Sequence, residues 1–167
     1  MGNYLSLPIL VLAVVFQATF VPQVRILGGG PDLVFLFVLS WAINTTLEEG
    51  VTWAFVGGIL QDLMSAAPIG ASCIGLVLLV FGVNGLSRQL YRIGIFLLIG
   101  LVAAGSLLTQ IVFMLVISLV GFQVRLLEDL AYVVLPTVAY NLVLILPVYW
   151  FVRRIQRSLN QNRRINL

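Results

Sequence analysis

Long apolar runs separated by short polar links dominate the chain. The runs cover about residues 4–21, 31–46, 50–65, 68–87, 93–120 and 129–152. An α-helix needs roughly 20 apolar residues to cross about 30 Å of hydrocarbon, so the pattern predicts six transmembrane helices. The expected fold class is all-α: a polytopic six-helix bundle forming a single integral membrane domain, with a basic tail at residues 153–167.

Two parts of this pattern allow other interpretations. The second and third runs are short, so we expect them to tilt little, to thin the bilayer locally or to sit partly inside the bundle. An alternative is that these two runs form one re-entrant unit. The first run has the length of a signal peptide, but it lacks a positively charged n-region and an A-x-A-like cleavage site. We interpret it as a retained helix.

Composition narrows the function classes. Hydrophobic residues make up 61% of the 167 positions and charged residues 9%, and no link is long enough for a soluble domain. The chain has no histidine and a single cysteine, Cys73, so it forms no intramolecular disulfide, and a zinc or iron site is not expected. No nucleophile with a neighbouring base is recognisable. We therefore expect no cofactor, no metal, no nucleic-acid partner and no catalysis.

Arginine placement predicts the orientation in the membrane. All nine basic residues are arginines. Seven lie in the tail or in the link between helices 4 and 5: Arg88, Arg92, Arg153, Arg154, Arg157, Arg163 and Arg164. Arg25 and Arg125 lie on the opposite side. Basic residues of short loops stay cytoplasmic, so both termini are predicted to be cytoplasmic. The tail is also suited to contact anionic membrane lipids, at roughly 1 kcal/mol per arginine near the surface.

Stripes of small residues predict the faces on which helices pack, because helices in lipid associate by close backbone approach. Helix 3 carries such a stripe, and its large residues Trp53, Phe55, Ile59 and Leu63 are expected to point elsewhere. The stripe consists of Val51, Ala54, Gly58, Asp62 and Ser65. The corresponding small residues of helices 4 and 5 are Gly75, Gly82, Gly85, Gly100 and Ala104.

Asp62 is the unusual member of the helix 3 stripe. It lies near the C-terminal end of that helix, where the helix dipole disfavours an anion, so something else must hold it. The candidate partners are Arg25, Arg125 and backbone donors at the start of helix 4, where Ser65 is placed to cap and Pro68 to occupy the first turn. The alternative is a hydrated carboxylate at the interface that only ends a helix.

Two other segments carry polar or helix-breaking residues. In GGGPDLVFLF, Pro31 suits the first helical position and Asp32 the first turn, so a structural helix start explains both. Helix 6 contains Pro136 and Pro147 with Asn141 nearby, which indicates a kinked, locally polar segment and allows either a structural kink or a ligand site. On the same logic, the polar residues of helices 4 and 5 are expected to form interhelical hydrogen bonds: Asn84, Ser106, Thr109 and Gln110.

The order and spacing of these residues resemble the bacterial rod shape-determining family MreD, and the resemblance covers essentially the whole chain. The residues that carry it are Pro31, Asp32, Leu33, Gly58, Asp62, Leu63, Ser65, Pro68 and Gly70. The resemblance implies a non-enzymatic component of the cell-elongation machinery in the bacterial cytoplasmic membrane. Its implied partners are MreC, the MreB filament, RodA and a penicillin-binding transpeptidase. It also implies a fold similar to the S components of energy-coupling-factor transporters.

Two other functions are compatible with the residues. A small-ligand or lipid carrier would need a polar pocket at one mouth of the bundle, and the outer loops show few polar groups and no aromatic-polar cluster. An intramembrane aspartyl hydrolase would use Asp32 and Asp62 as a pair that shares one proton. The helix start already explains Asp32, and neither acid lies in a recognisable hydrolase motif.

Overall fold

Six α-helices make up most of the structure, a computed structural model that describes residues 6–26, 28–87, 94–122 and 130–165. The helices are α1 (Ser6–Phe20), α2 (Leu33–Asn44), α3 (Leu47–Leu63), α4 (Ala71–Ser87), α5 (Ile95–Leu119) and α6 (Leu135–Ile165). A 3₁₀ turn, Val21–Gln23, follows α1, and a π-helical segment, Leu130–Val134, leads into α6. No β-strand occurs in these described ranges, which confirms the all-α prediction.

Neighbouring helices pack antiparallel. Gly50 lies against Val80 and Gly58 against Cys73, which pairs the start of α3 with the end of α4. The bundle therefore has two ends. The aspartate end holds the loop 21–32, the turn between α3 and α4, and the start of α6. The arginine end holds the turn between α2 and α3 and the C-terminal part of α6.

Helix α2 lies at the centre of the bundle. Its residues Phe35, Leu36 and Leu39 are fully buried, and it contacts all five other helices. A helix of 12 residues is about 18 Å long at 1.5 Å per residue, too short to cross the hydrocarbon layer alone. The expectation that a short run sits inside the bundle is confirmed for α2.

The outer surface of the bundle is strongly apolar. Leu12 on α1, Phe96 on α5 and Val143 on α6 are 68%, 92% and 73% exposed, whereas soluble monomers rarely expose such continuous apolar surface. Two helical stretches, Ile95–Leu119 and Ala131–Gln156, are long and apolar enough to cross a membrane, and three further apolar helices are shorter. These features are consistent with a membrane protein. The six-span arrangement stays a prediction.

The structure corrects two local expectations. Trp53 does not point away from the protein: it is buried and stacks on Trp41 with ring centroids 4.2 Å apart. Pro136 follows the π-helical segment without a break, so it lies inside a continuous helical stretch as predicted, and a π-helical turn often accompanies a local distortion of a helix. Helix α6 also continues to Ile165, so the basic stretch is helical that far.

Candidate functional site

Asp62 holds the turn between α3 and α4 at the aspartate end. Its side chain is 1% exposed. One carboxylate oxygen accepts a hydrogen bond from the backbone N–H of Gly70 at 2.7 Å, and both oxygens accept from the N–H of Ser72 at 3.2 Å. Ser72 is the second residue of α4, and the first N–H groups of a helix have no partner within the helix. Asp62 therefore caps α4 from the preceding helix, with the favourable end of the α4 dipole facing it.

The rest of the turn supports this arrangement. The N–H and hydroxyl of Ser65 both donate to the backbone oxygen of Asp62, at 3.1 and 3.2 Å, and the N–H of Ala67 donates to the Ser65 hydroxyl. Gly70 has a φ of 101°, a backbone conformation that glycine adopts without strain. Ser65 does not cap helix 4 and Pro68 does not lie in its first turn, as had been expected, because α4 begins only at Ala71. Ser65 instead stabilises the turn itself.

The predicted ion-pair partners of Asp62 play no such part in the described ranges, where Asp62 forms no ion pair. Arg25 is exposed in the loop 21–32. Arg125 lies outside the described residues. Of the three candidate partners, the backbone donors of the turn are the ones that contact the carboxylate.

Close helix approach occurs at fewer small residues than predicted. A Cβ at Gly58 would lie 2.7 Å from the backbone nitrogen of Cys73, and one at Gly75 would lie 3.3 Å from the backbone of Thr109, while Ala54 is fully buried. The packing prediction is wrong for four others, because a glycine permits close approach but does not supply a partner. An added Cβ would meet open space within the described chain at three glycines: Gly82, Gly85 and Gly100. The fourth residue, Ala104, is exposed. On α5 the neighbouring Gly105 packs instead, against Leu79.

Asp32 starts α2 as its N-cap rather than within the first turn, and Pro31 precedes it. Its carboxylate accepts from the N–H of Phe35 at 3.1 Å and from the amide of Gln17 on α1 at 3.3 Å. Its own N–H donates to the side-chain oxygen of Asn141 on α6 at 2.9 Å, and the Asn141 amide donates to the Ser106 hydroxyl on α5 at 2.8 Å. This network joins α1, α2, α5 and α6.

Replacing Asn141 with leucine is expected to destabilise this network. The change keeps the branched shape of the side chain but leaves the Asp32 N–H and the Ser106 hydroxyl without their partner. We expect a loss of about 1–3 kcal/mol for each buried group left unpaired, measured as a lower midpoint of thermal denaturation in detergent. Asn44→Leu is the control, because Asn44 is exposed at the end of α2. Equal midpoints for the two variants would contradict the role of the network.

Helix α6 also fixes the loop 21–32. The Tyr140 hydroxyl donates to the backbone oxygen of Val24 at 2.8 Å, and Gly29 packs directly against the backbone oxygen of Val133. The hydroxyl of Thr137 donates to that same oxygen at 2.7 Å. Helix α6 and the π-helical segment before it thus hold the loop through Val133, Thr137 and Tyr140. Pro147 lies in the interior of α6 and is exposed.

A polar cavity of about 450 Å³ opens between these two anchored segments. Helices α1, α3, α4, α5 and α6 contribute to its wall or rim, together with the loop that ends at Asp32. Its polar lining consists of Gln17, Arg25, Asp32, Gln61, Ser65, Ser72, Thr109, Gln110 and Thr137. The sequence showed few polar groups in the outer loops and did not reveal this pocket, because most of its polar residues lie in different apolar runs and only the fold brings them together. A single glutamine in each of three apolar helices was the signal that could have indicated it.

The arrangement favours binding over catalysis. Asp32 lines the cavity but Asp62 does not, and each carboxylate has its own set of hydrogen-bond donors, which disfavours a pair sharing one proton. Within the described ranges no group of three or more metal-ligating side chains occurs. What the cavity offers is a set of hydrogen-bonding groups in an otherwise apolar bundle.

Comparison with known proteins gives the family. The family model described as "rod shape-determining protein MreD" matches residues 1–159 of the chain. No curated protein and no solved structure matches it. The matched region contains both anchored aspartates, the α3–α4 turn and the Asn141 network. The chain therefore belongs to the MreD family of rod shape-determining proteins.

Proposed function

We propose that the chain is a non-enzymatic membrane scaffold of the rod complex that binds MreC and so supports lateral-wall peptidoglycan synthesis. Membership of the MreD family supports a role in cell shape. RodA, a penicillin-binding transpeptidase and MreB join the same complex in this proposal. Links too short for a soluble domain leave the helices and their turns as the surfaces available to partners.

In this proposal all six helices lie in the bacterial cytoplasmic membrane with both termini in the cytoplasm. The antiparallel packing of successive helices places the C-terminal part of α6 and the turn between α2 and α3 at one end. Seven of the nine arginines belong to the C-terminal tail or to the link between helices 4 and 5, which the sequence pattern assigns to the same side of the membrane. Basic residues of short loops are retained in the cytoplasm. The aspartate end then faces outward.

The α3–α4 turn is the observation that carries the docking proposal. Its backbone is fixed by Asp62 and Ser65, yet it displays three large apolar side chains at the aspartate end. Leu63, Met64 and Ile69 are 61%, 52% and 71% exposed. An apolar patch on a preorganised turn binds a partner without the entropic cost of ordering a loop. We place the MreC contact on this patch, which we call the turn patch.

Replacing Leu63 or Ile69 with serine is expected to reduce co-purification of MreC without unfolding the protein. Neither side chain is buried, whereas a central interface residue typically contributes more than about 1 kcal/mol to binding, or roughly fivefold in affinity. The measurement is the amount of tagged, co-expressed MreC that co-elutes in detergent. Phe96→Ser is the matched control, because Phe96 is exposed at the arginine end. Unchanged co-elution in both turn-patch variants would place the MreC contact elsewhere.

A second candidate function, a small-ligand or lipid carrier, is favoured by the polar cavity. The cavity has the volume typical of small-molecule sites, which run from about 300 to 1,000 Å³. It lies beside the turn patch and shares only Met64 with it. Binding a ligand is compatible with scaffolding.

A further inference from the structure

Three groups on the inner wall of the polar cavity, Asp32, Thr109 and Thr137, offer hydrogen-bond acceptors. The Thr109 hydroxyl donates its proton to the backbone oxygen of Gly105 at 3.0 Å, and that of Thr137 donates to Val133 at 2.7 Å. Both hydroxyl oxygens therefore keep only lone pairs for a ligand. Asp32 is an acceptor as well, and its position is fixed by Phe35 and Gln17. A ligand group placed against these three acceptors must bring N–H or O–H donors.

The rim of the cavity carries the opposite chemistry. Arg25 lines the cavity, is exposed, and forms no ion pair with any residue of the described ranges. Its segment is held in place, because Tyr140 binds the backbone oxygen of Val24 and the Arg25 side chain packs over Gly30. A guanidinium has five N–H donors and suits a carboxylate or phosphate. The rim therefore favours an anionic group.

From this polarity we infer that the cavity binds a small zwitterion, with its ammonium group against Asp32, Thr109 and Thr137 and its carboxylate or phosphate at Arg25. The two lining charges, Asp32 and Arg25, balance each other, which matches a ligand of zero net charge with separated poles. The volume of about 450 Å³ accommodates an amino acid or an ethanolamine phosphate group. The same chemistry is available from a free molecule or from the head group of a lipid, and the site goes beyond the proposed scaffold function.

The test uses the full-length protein purified in mild detergent, with thermal stabilisation as the readout. The probes are glycine and free phosphoethanolamine for the soluble source, and short-chain phosphatidylethanolamine for the lipid source. Stabilisation by either free probe supports a soluble zwitterion, and stabilisation by the ethanolamine lipid alone supports a head-group site. Two lipids serve as controls. Phosphatidylglycerol has no ammonium group, and the quaternary ammonium of phosphatidylcholine has no N–H donors. No response to any ethanolamine or amino-acid probe, or an equal response to these two control lipids, overturns the proposal.

Variants of the two poles locate the binding. Arg25→Gln removes the rim cation, and Thr137→Val removes one wall acceptor. Each is expected to weaken the binding of the stabilising probe roughly tenfold. Asp32 is left intact because it also caps α2. The control is Arg153→Gln, an exposed arginine at the arginine end. If both cavity variants respond like wild type, the bound molecule lies elsewhere and the assignment is wrong. MreC co-elution measured in parallel keeps this result separate from the docking proposal.

Discussion

Asp62→Ala is expected to produce the largest loss of stability of any single substitution at the α3–α4 turn. The carboxylate is 1% exposed and accepts from the N–H groups of Gly70 and Ser72. Alanine leaves both donors without a partner beside a helix start, at about 1–3 kcal/mol for each buried group. For a domain of this size, each kcal/mol lowers the denaturation midpoint by about 2–4 °C. We therefore expect a decrease of about 5–15 °C in detergent, measured by gel filtration after heating.

The same variant tests the scaffold proposal. Loss of the cap frees the turn that displays the turn patch, so MreC co-elution should fall even at temperatures where the variant remains folded. Glu48→Ala is the matched control, because Glu48 is an exposed acid in the first turn of the same helix. Asp62→Asn, which keeps one acceptor oxygen, is expected to lie between wild type and alanine. A wild-type midpoint and wild-type MreC levels in Asp62→Ala would refute the role assigned to the cap.

Gly58→Ala is expected to separate α3 from α4. The added Cβ would meet the backbone N of Cys73 at 2.7 Å and its Cα closer still. Backbone atoms of a packed helix cannot rotate away as the end of a side chain does, so the helices must move apart. Overpacking of this kind costs typically about 1–3 kcal/mol. Because Asp62 follows Gly58 by one helical turn, the displacement should also draw the carboxylate away from Gly70 and Ser72.

Gly82→Ala is the matched control for this substitution. Gly82 lies within α4, and a Cβ there meets nothing within 4 Å in the described chain. Alanine favours a helix over glycine by about 1 kcal/mol, so Gly82→Ala should leave the denaturation midpoint unchanged or raise it. The expected result is a lower denaturation midpoint for Gly58→Ala and an unchanged or higher one for Gly82→Ala. A stabilised Gly58→Ala would show that the helices do not approach as closely as described.

A rigid α3–α4 turn connects these two predictions to function. Gly58 allows α4 to approach α3, and the approach brings the start of α4 within reach of Asp62. Asp62 then replaces the side-chain cap that Gly70, the residue before α4, cannot provide. The result is a turn whose backbone is held while Leu63, Met64 and Ile69 remain exposed. Such a turn suits a scaffold that must present one surface in one conformation.

Long-range features could not be predicted from the chain alone. The pattern indicated that Asp62 faces protein, but three different partners fitted it, since a partner ten residues away depends on where α4 begins. The small residues of helices 4 and 5 failed as a guide for a related reason. Gly100 and Gly105 look alike in the sequence, yet within the described ranges only Gly105 faces another helix, because the crossing point depends on how whole helices are placed.

The sequence by itself determined the helical class, the approximate extent of the apolar runs and the family, because these depend on local composition, periodicity and the order of short motifs. Only the tertiary structure decided that α2 lies at the centre, that backbone N–H groups of the turn hold Asp62, and that polar residues of separate helices line one cavity. Each of these features joins residues that are far apart in the chain. The packing of the whole bundle fixes which of them meet, and no local pattern records it.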